Sequence, residues 1–171
     1  DICPGSDGVY FLPYLMGERT PYSDPDARGC FIGLQVSHNR ANMTRAVLEG
    51  VIYGLRDSLE IIKDMGMSVR QVRLSGGGAK SDLWRQIVAD IFGLPVCIPN
   101  STEGPAFGAA ILAAVGAGAY GSVDEACKAL IAITEEVDPI PENIEIYNKY
   151  YKVYQSLYGA LQSTFKDIAK I

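Results

Sequence analysis

The sequence predicts an α/β fold in which short strands alternate with helices around a largely parallel sheet. Apolar residues recur at steps of three and four across residues 40–65, as on one face of a helix. Two short apolar runs, at 69–74 and 95–99, are each followed by a polar turn and a further helical pattern. Strands that alternate with helices in this way are typical of a parallel sheet covered by helices.

The length and composition are those of a globular protein with a sizeable core. The chain has 171 residues, of which 48% are hydrophobic and 20% charged, and its net charge is −5. It carries no basic stripe, so nucleic acid is not an expected partner. No apolar run approaches the ~18 residues that a membrane-spanning helix needs, so we expect no membrane partner and a cytoplasmic location. The chain begins at Asp1 rather than at methionine, which favours a fragment of a longer protein.

The four cysteines and the single histidine do not predict a metal or catalytic centre. Cys3, Cys30, Cys97 and Cys127 are scattered without a CxxC pair, so free thiols are expected and no metal site is predicted. His38 lies in a polar run ahead of the first long helix, and we expect it to be a solvated loop residue there.

A run of three glycines joins the first predicted strand to a helix. Gly76, Gly77 and Gly78 permit a tight turn and let a ligand approach the bare backbone. The helix that follows offers unpaired N–H groups and the positive end of its dipole, as nucleotide sites do. The spacing is neither the dinucleotide pattern nor a Walker P-loop, so on this segment alone a turn without a ligand is an equally open interpretation.

A second polar turn, at residues 100–105, follows the second predicted strand. The carboxyl ends of parallel strands meet at one edge of a sheet, and α/β proteins bind their ligands there. Both turns are therefore expected on the same edge, and this agreement favours a nucleotide site.

A long loop at residues 17–29 is the other candidate for a functional segment. It is rich in turn formers and charges, and ordered loops of this length are usually functional. Glu18, Arg19 and Asp24 are candidates to face a substrate or a phosphate group. The alternative is an Arg–carboxylate pair that only holds the loop in place.

Two long helices show features that indicate close packing. Gly50 and Gly54 lie one turn apart in the first of them, where each glycine costs about 1 kcal/mol, so another backbone or a ligand is expected beside them. The last helix is predicted over residues 143–171. Its tyrosines have helical spacing, which favours a packing face, with an interaction surface as the alternative.

These motifs resemble the C-terminal domain of the FGGY family of carbohydrate kinases, and its xylulokinases in particular. The resemblance covers about residues 9–120 and rests on three segments: Gly29 to Leu34 with Asn42 to Glu49, the loop from Met16 to Gly29, and Ser75 to Ala110. It implies a ribonuclease H-like domain of the actin, hexokinase and Hsp70 superfamily. Members of the family have two such domains, with ATP and the sugar in the cleft between them.

The resemblance also assigns nucleotide-binding residues. The adenosine-binding positions of the family fall on Gly78 and Ala79, in the turn that also contains Gly76 and Gly77. A third position, often asparagine in relatives, falls on Asp82. At Asp82 two roles stay open: a carboxylate that accepts a hydrogen bond from the adenine amino group, and a helix N-cap.

The function that the resemblance implies belongs to a longer protein. This chain would be the nucleotide-binding part of an N-terminally truncated C-terminal domain. The catalytic residues and most sugar contacts would lie in the missing N-terminal domain, and a Gly-Thr phosphate turn would lie at the missing start of the C-terminal domain. The isolated chain is therefore expected to be inactive. ATP and Mg²⁺ would serve the full-length kinase, and the 18–29 loop favours D-xylulose as the sugar. The alternatives are ribulose, gluconate, glycerol or fuculose, or a non-catalytic nucleotide-binding or interaction domain, and a homodimer stays open.

Overall fold

The computed structural model describes residues 2–101 and 103–171 and confirms an α/β fold. Two 3₁₀ helices, at Ser6–Gly8 and Gly77–Lys80, accompany the regular elements. In chain order those elements are β1 (Tyr10–Leu12), β2 (Cys30–Ile32), α1 (Arg40–Asp64), β3 (Val72–Arg73), α2 (Asp82–Phe92), β4 (Val96–Pro99), α3 (Gly104–Gly116), α4 (Val123–Leu130), β5 (Ile133–Val137) and α5 (Pro141–Ile168).

The chain divides into two compact units. The first unit comprises Asp1–Val69, Asp90–Gly93 and Ile140–Ile171, and the second comprises Arg70–Ala89 and Leu94–Pro139. The first unit therefore contains β1, β2, α1 and α5. The second contains β3, β4, β5, α3 and α4, and α2 contributes residues to both.

The sheet of the second unit has the order β3-β4-β5. β3 and β4 are parallel, as the sequence predicted, with Val72 opposite Val96. β5 is antiparallel to β4, with Val137 opposite Val96, so the prediction of a largely parallel sheet holds only for β3 and β4, and the sequence did not predict β5. The sequence of β5 shows no strand pattern, because four of its five residues are exposed and apolar and polar side chains do not alternate.

A close approach between α1 and β1 organises the first unit. β1 and β2 form an antiparallel pair in which Phe11 lies opposite Phe31, with their ring centroids 4.7 Å apart. Gly50 of α1 faces the backbone of Phe11, and a Cβ atom at this position would overlap the Phe11 carbonyl oxygen. The expectation that another backbone packs beside this glycine is confirmed.

The aromatic stripe of α5 is a packing face, as its spacing indicated. The Tyr147 hydroxyl donates to Glu49 at 2.8 Å, and the Tyr151 hydroxyl donates to Asp57 at 2.6 Å. Because the stripe points inward, the alternative of an exposed aromatic interaction surface loses its basis. The buried rings are those of Tyr147, Tyr151, Tyr154, Tyr158 and Phe165.

The cysteines and the histidine take structural places. All four cysteines are free thiols, and Cys97 is the buried one. His38 is held in its loop, because its Nδ1 atom accepts from the Gln35 amide at 2.9 Å and its Nε2 atom lies 3.2 Å from the Asp7 carbonyl oxygen. Within residues 2–101 and 103–171, no helix is both long and apolar enough to cross a bilayer.

A carboxylate from α2 caps the start of α5. Asp90 is 2% exposed, and its two carboxylate oxygens accept from the Ile140 amide and from Nδ2 of Asn143, each at 2.8 Å. Ile140 is the N-cap residue of α5 and has no side chain that accepts a hydrogen bond. Asp90 therefore satisfies an N–H group that the helix cannot pair, at the end where the dipole favours negative charge.

Replacing this carboxylate should weaken the fold measurably. We expect Asp90→Ala to lower the free energy of unfolding by about 3 kcal/mol, because the helix start loses a buried, charged acceptor. Urea denaturation measures the loss. Asp124→Ala is the matched control, since the Asp124 side chain is 76% exposed, and it should cost about 0.5 kcal/mol. Equal losses in the two variants would contradict the capping role.

Candidate functional site

Two turns meet at the carboxyl edge of β3 and β4. The strands run parallel, with Arg73 opposite Cys97, so the glycine turn after β3 and the polar turn after β4 open on the same side of the sheet. The two turns also touch, because a Cβ atom built on Gly104 would lie 3.3 Å from Oγ of Ser75. This is the arrangement that the alternation of strands and helices predicted, at the edge where parallel sheets bind ligands.

The glycine turn has a conformation that only glycine adopts readily. Gly76 has φ 84° and ψ −170°, a region that is nearly closed to residues with a Cβ atom. The 3₁₀ turn that follows is closed by the Ala79 amide, which donates to the Gly76 carbonyl oxygen at 3.2 Å. Apart from the adjoining backbone, no heavy atom of the described residues lies within 4 Å of a Cβ atom built on Gly76 or Gly77. The turn therefore presents bare backbone to open space.

The predicted nucleotide-binding residues fall on different sides of this turn. Gly76 and Gly77 carry the open face. The Ala79 side chain is 1% exposed and packs inward, so only its backbone is available to a ligand. A Cβ atom on Gly78 would meet the indole of Trp84 at 3.0 Å. Trp84 is half-buried against the turn.

Asp82 stands apart from the packed side of the turn. It is the first residue of α2, and its side chain is 95% exposed. Its carboxylate does not cap the helix, because Oγ of Ser81 accepts from the Trp84 amide at 3.3 Å and fills that role. The exposed carboxylate is left pointing to solvent, with a long contact of 3.4 Å to the Arg85 guanidinium.

A pocket of about 190 Å³ lies beside the turn at the same sheet edge. Its lining combines apolar side chains with serine residues and an arginine. It is smaller than the roughly 300–1,000 Å³ of most ligand pockets, so it would hold only part of a nucleotide-sized molecule. The lining includes Arg73, Ser75, Ser101, Phe107, Ile111 and Ile131.

The 17–29 loop, in the first unit, is held by its own backbone and by α5. The amides of Glu18 and Asp24 each donate to the other's carbonyl oxygen, at 2.9 and 2.7 Å. The Tyr158 hydroxyl donates to the Asp24 carboxylate at 2.7 Å, and this bond lowers the pKa of that carboxyl below its ordinary value. The stability from this bond is therefore present at neutral pH and is lost as the pH falls through the lowered pKa.

The charged residues of the loop have separate roles. The Glu18 carboxylate accepts from the amides of Arg19 and Thr20, at 2.7 and 3.0 Å, and so shapes the loop locally. Arg19 forms no ion pair within residues 2–101 and 103–171, so the alternative of an Arg–carboxylate pair that holds the loop is not observed at Arg19, and the Asp24–Tyr158 hydrogen bond anchors the loop instead. Glu18 and Arg19 line two hollows of about 480 and 250 Å³, which leaves the guanidinium accessible to a ligand.

The sequence did not reveal the side chains of α2 and β5 that hold the glycine turn. Arg85 donates from Nε to the Ala79 carbonyl oxygen and from Nη1 to both carboxylate oxygens of Glu135, at 2.8 and 2.7 Å. Glu135 lies on β5, the strand that the sequence did not reveal. Their separation of 50 positions leaves no local signal for this pair.

Comparison with known proteins decides the family. The sequence model of the C-terminal domain of the FGGY family of carbohydrate kinases matches residues 4–117. The chain belongs to the FGGY family of carbohydrate kinases. The resemblance stated from the motifs is confirmed, and so is the fold of the actin, hexokinase and Hsp70 superfamily.

Several FGGY proteins are similar over nearly the whole chain. The xylulose kinase of Staphylococcus epidermidis is 41% identical over 167 residues, a match that covers 98% of this chain and 34% of that protein. The gluconokinase of Bacillus subtilis is 40% identical over 169 residues, covering 98% and 33%. The structure of ligand-bound xylulose kinase from Lactobacillus acidophilus matches with a TM-score of 0.88 at 30% identity, covering 98% and 34%. This FGGY chain therefore spans about a third of the length of these relatives.

Proposed function

We propose that this chain is the nucleotide-holding part of an ATP-dependent carbohydrate kinase, and that the full-length protein converts D-xylulose to D-xylulose 5-phosphate. The observation that carries the proposal is the open backbone face of Gly76 and Gly77 at the carboxyl edge of two parallel strands, in a chain of the FGGY family. The 41% identity to a xylulose kinase supports the choice of sugar. Gluconate is the second candidate, because a gluconokinase is 40% identical.

In this proposal the chain contributes binding and orientation rather than bond chemistry. The turn would hold the adenosine end of ATP, with the backbone of Gly78 and Ala79 against it and Asp82 at its rim. An aspartate that the family resemblance places in the N-terminal domain would take the proton of the sugar hydroxyl. Closure of the two domains would exclude water and align that hydroxyl with the γ-phosphate. Positioning and electrostatic stabilisation together account for almost all of the catalysis of phosphoryl transfer.

The loop residues Glu18 and Arg19 have a place in the same proposal. Arg19 offers a guanidinium that no carboxylate of the described residues neutralises, and such a group suits an anionic substrate or phosphate. Glu18 would set the loop conformation that presents it. Asp24 acts through its bond to Tyr158, as an anchor of the loop.

The family resemblance implies Mg²⁺ for the full-length kinase. Among residues 2–101 and 103–171, no group of three or more His, Cys, Asp or Glu side chains is arranged around a metal position. Mg²⁺ commonly binds through substrate phosphates and water with one or two carboxylates. We therefore expect it to arrive with ATP. A cytoplasmic location and a homodimer stay predictions.

A substrate panel on the full-length protein tests the proposal. With ATP present, D-xylulose should give the highest kcat/KM among D-xylulose, gluconate, ribulose, glycerol and fuculose. A preference for gluconate would replace the proposed sugar and leave the kinase assignment standing. No ATP consumption with any of the five would contradict the kinase itself.

The 171-residue chain alone should not catalyse phosphorylation of the sugar. We expect no sugar phosphate from ATP and D-xylulose above a no-protein blank, because the proton acceptor and the sugar contacts would lie outside this chain. A coupled ADP-release assay measures it, with the full-length protein as the positive control. Clear turnover by the isolated chain would refute this division of labour.

A further inference from the structure

The glycine turn is braced on its inner side by two consecutive residues of α2. The Trp84 indole lies against Gly78, where a Cβ atom would come within 3.0 Å of its Nε1 atom. The next residue, Arg85, donates from Nε to the carbonyl oxygen of Ala79. Gly76 and Gly77 are thus open, while Gly78 and Ala79 are in contact with side chains of α2.

Arg85 connects the turn to the sheet. Its Nη1 atom donates to both carboxylate oxygens of Glu135 on β5, and its side chain is 14% exposed. Arg85 thus spans two elements: its Nε atom holds the backbone of the turn and its Nη1 atom is held by the strand. A planar guanidinium can make both contacts with one fixed geometry, which a lysine ammonium on a flexible stem does not provide.

From this geometry we infer that Arg85 is a positioning residue for nucleotide binding, held in place by Glu135. The inference rests on the proposed function, because it assigns a role toward the ligand of that turn. A backbone site binds well only when its N–H and C=O groups are held within a fraction of an ångström of the binding geometry. Four consecutive residues with little side-chain bulk, Gly76 to Ala79, cannot hold that geometry alone, since glycine has the most conformational freedom to lose. Arg85 reduces this cost by fixing the far end of the turn.

Kinetics on the full-length kinase separate positioning from plain stability. Arg85→Gln should raise KM for ATP about tenfold, because the turn contacts the nucleotide equally in the ground and transition states. The kcat value and the KM for the sugar should stay within about twofold. Arg85→Lys keeps the positive charge but lacks the planar guanidinium, so it should restore only part of the affinity for ATP. Calorimetry with ADP gives a second readout that does not need turnover, and the dissociation constant should rise by a similar factor.

Arg56→Gln is the matched control. The Arg56 side chain is 13% exposed, similar to Arg85, and donates to Asn148 at 2.7 Å in the first unit. This variant should lower the melting temperature and leave KM for ATP within about twofold. If Arg85→Gln behaves in the same way, Arg85 serves stability only and the inference is overturned.

A second variant keeps the inference testable if the first variant misfolds. If Arg85→Gln does not fold, Glu135→Gln removes the carboxylate that holds the guanidinium at a site that is 49% exposed, and KM for ATP should rise about threefold. An unchanged KM for ATP in Glu135→Gln would then overturn the inference. Failure of the proposed function looks different, because the unsubstituted protein itself would show no saturable dependence on ATP.

Discussion

Gly50→Ala should destabilise the protein by about 3 kcal/mol or more, although alanine is the better helix former by roughly 1 kcal/mol. Gly50 lies inside α1, where an alanine normally stabilises. Here its Cβ atom would overlap the carbonyl oxygen of Phe11, and both groups are backbone-linked, so neither can rotate away. The helix and β1 would have to separate. The free energy of unfolding from urea denaturation measures the loss.

Gly54→Ala, one turn later in the same helix, is the control. A Cβ atom there would lie 3.5 Å from the Tyr154 hydroxyl and 3.6 Å from Cγ of Pro13, which are ordinary contacts. We expect this variant to be as stable as the unsubstituted protein or more stable by up to about 1 kcal/mol. The two glycines look alike in the sequence, so opposite signs would establish the close approach at Gly50, and equal signs would contradict it.

Gly77→Leu should lower the affinity for ATP at least tenfold while the fold stays intact. Gly77 has no heavy atom of the described residues near its Cβ direction and no positive φ, so a side chain meets neither a clash nor backbone strain. The leucine would instead occupy the open face where we propose that the adenosine lies. A tenfold loss corresponds to about 1.4 kcal/mol of binding free energy, a modest demand for a blocked contact surface.

The measurement pairs ATP affinity with melting temperature. Calorimetry and KM for ATP in the full-length kinase report ATP affinity, and thermal denaturation gives the melting temperature. Gly159→Leu is the control, because Gly159 is an exposed position of α5 with open space around its Cβ direction. It should leave ATP affinity unchanged and slightly raise the melting temperature. Normal ATP affinity in Gly77→Leu would place the nucleotide elsewhere.

The sequence predicted the helices well because their signals are local. The apolar period placed α1 at residues 40–65, and the helix spans Arg40–Asp64. Its start is marked by Asn39, whose side chain accepts from the Ala41 amide. The strand, glycine turn and helix order around Gly76 was also predictable, because glycine is the residue that such a turn requires.

The contacts that hold the two candidate segments in place were not predictable. Tyr158 and Asp24 are 134 positions apart, and Arg85 and Glu135 are 50 positions apart. Such pairs leave no periodicity, since each residue alone fits an ordinary exposed position. β5 was missed for a related reason: it is stabilised by pairing with β4 rather than by a buried face. The proposed positioning residue was therefore visible only in three dimensions.

A crystal structure of the full-length protein with bound ADP tests the central claim most directly. We predict that the adenosine lies in van der Waals contact with the backbone of Gly76 to Ala79, on the side opposite Trp84. Adenosine bound at any other place, or an open face covered by side chains from the rest of the protein, would contradict the proposed role of this turn.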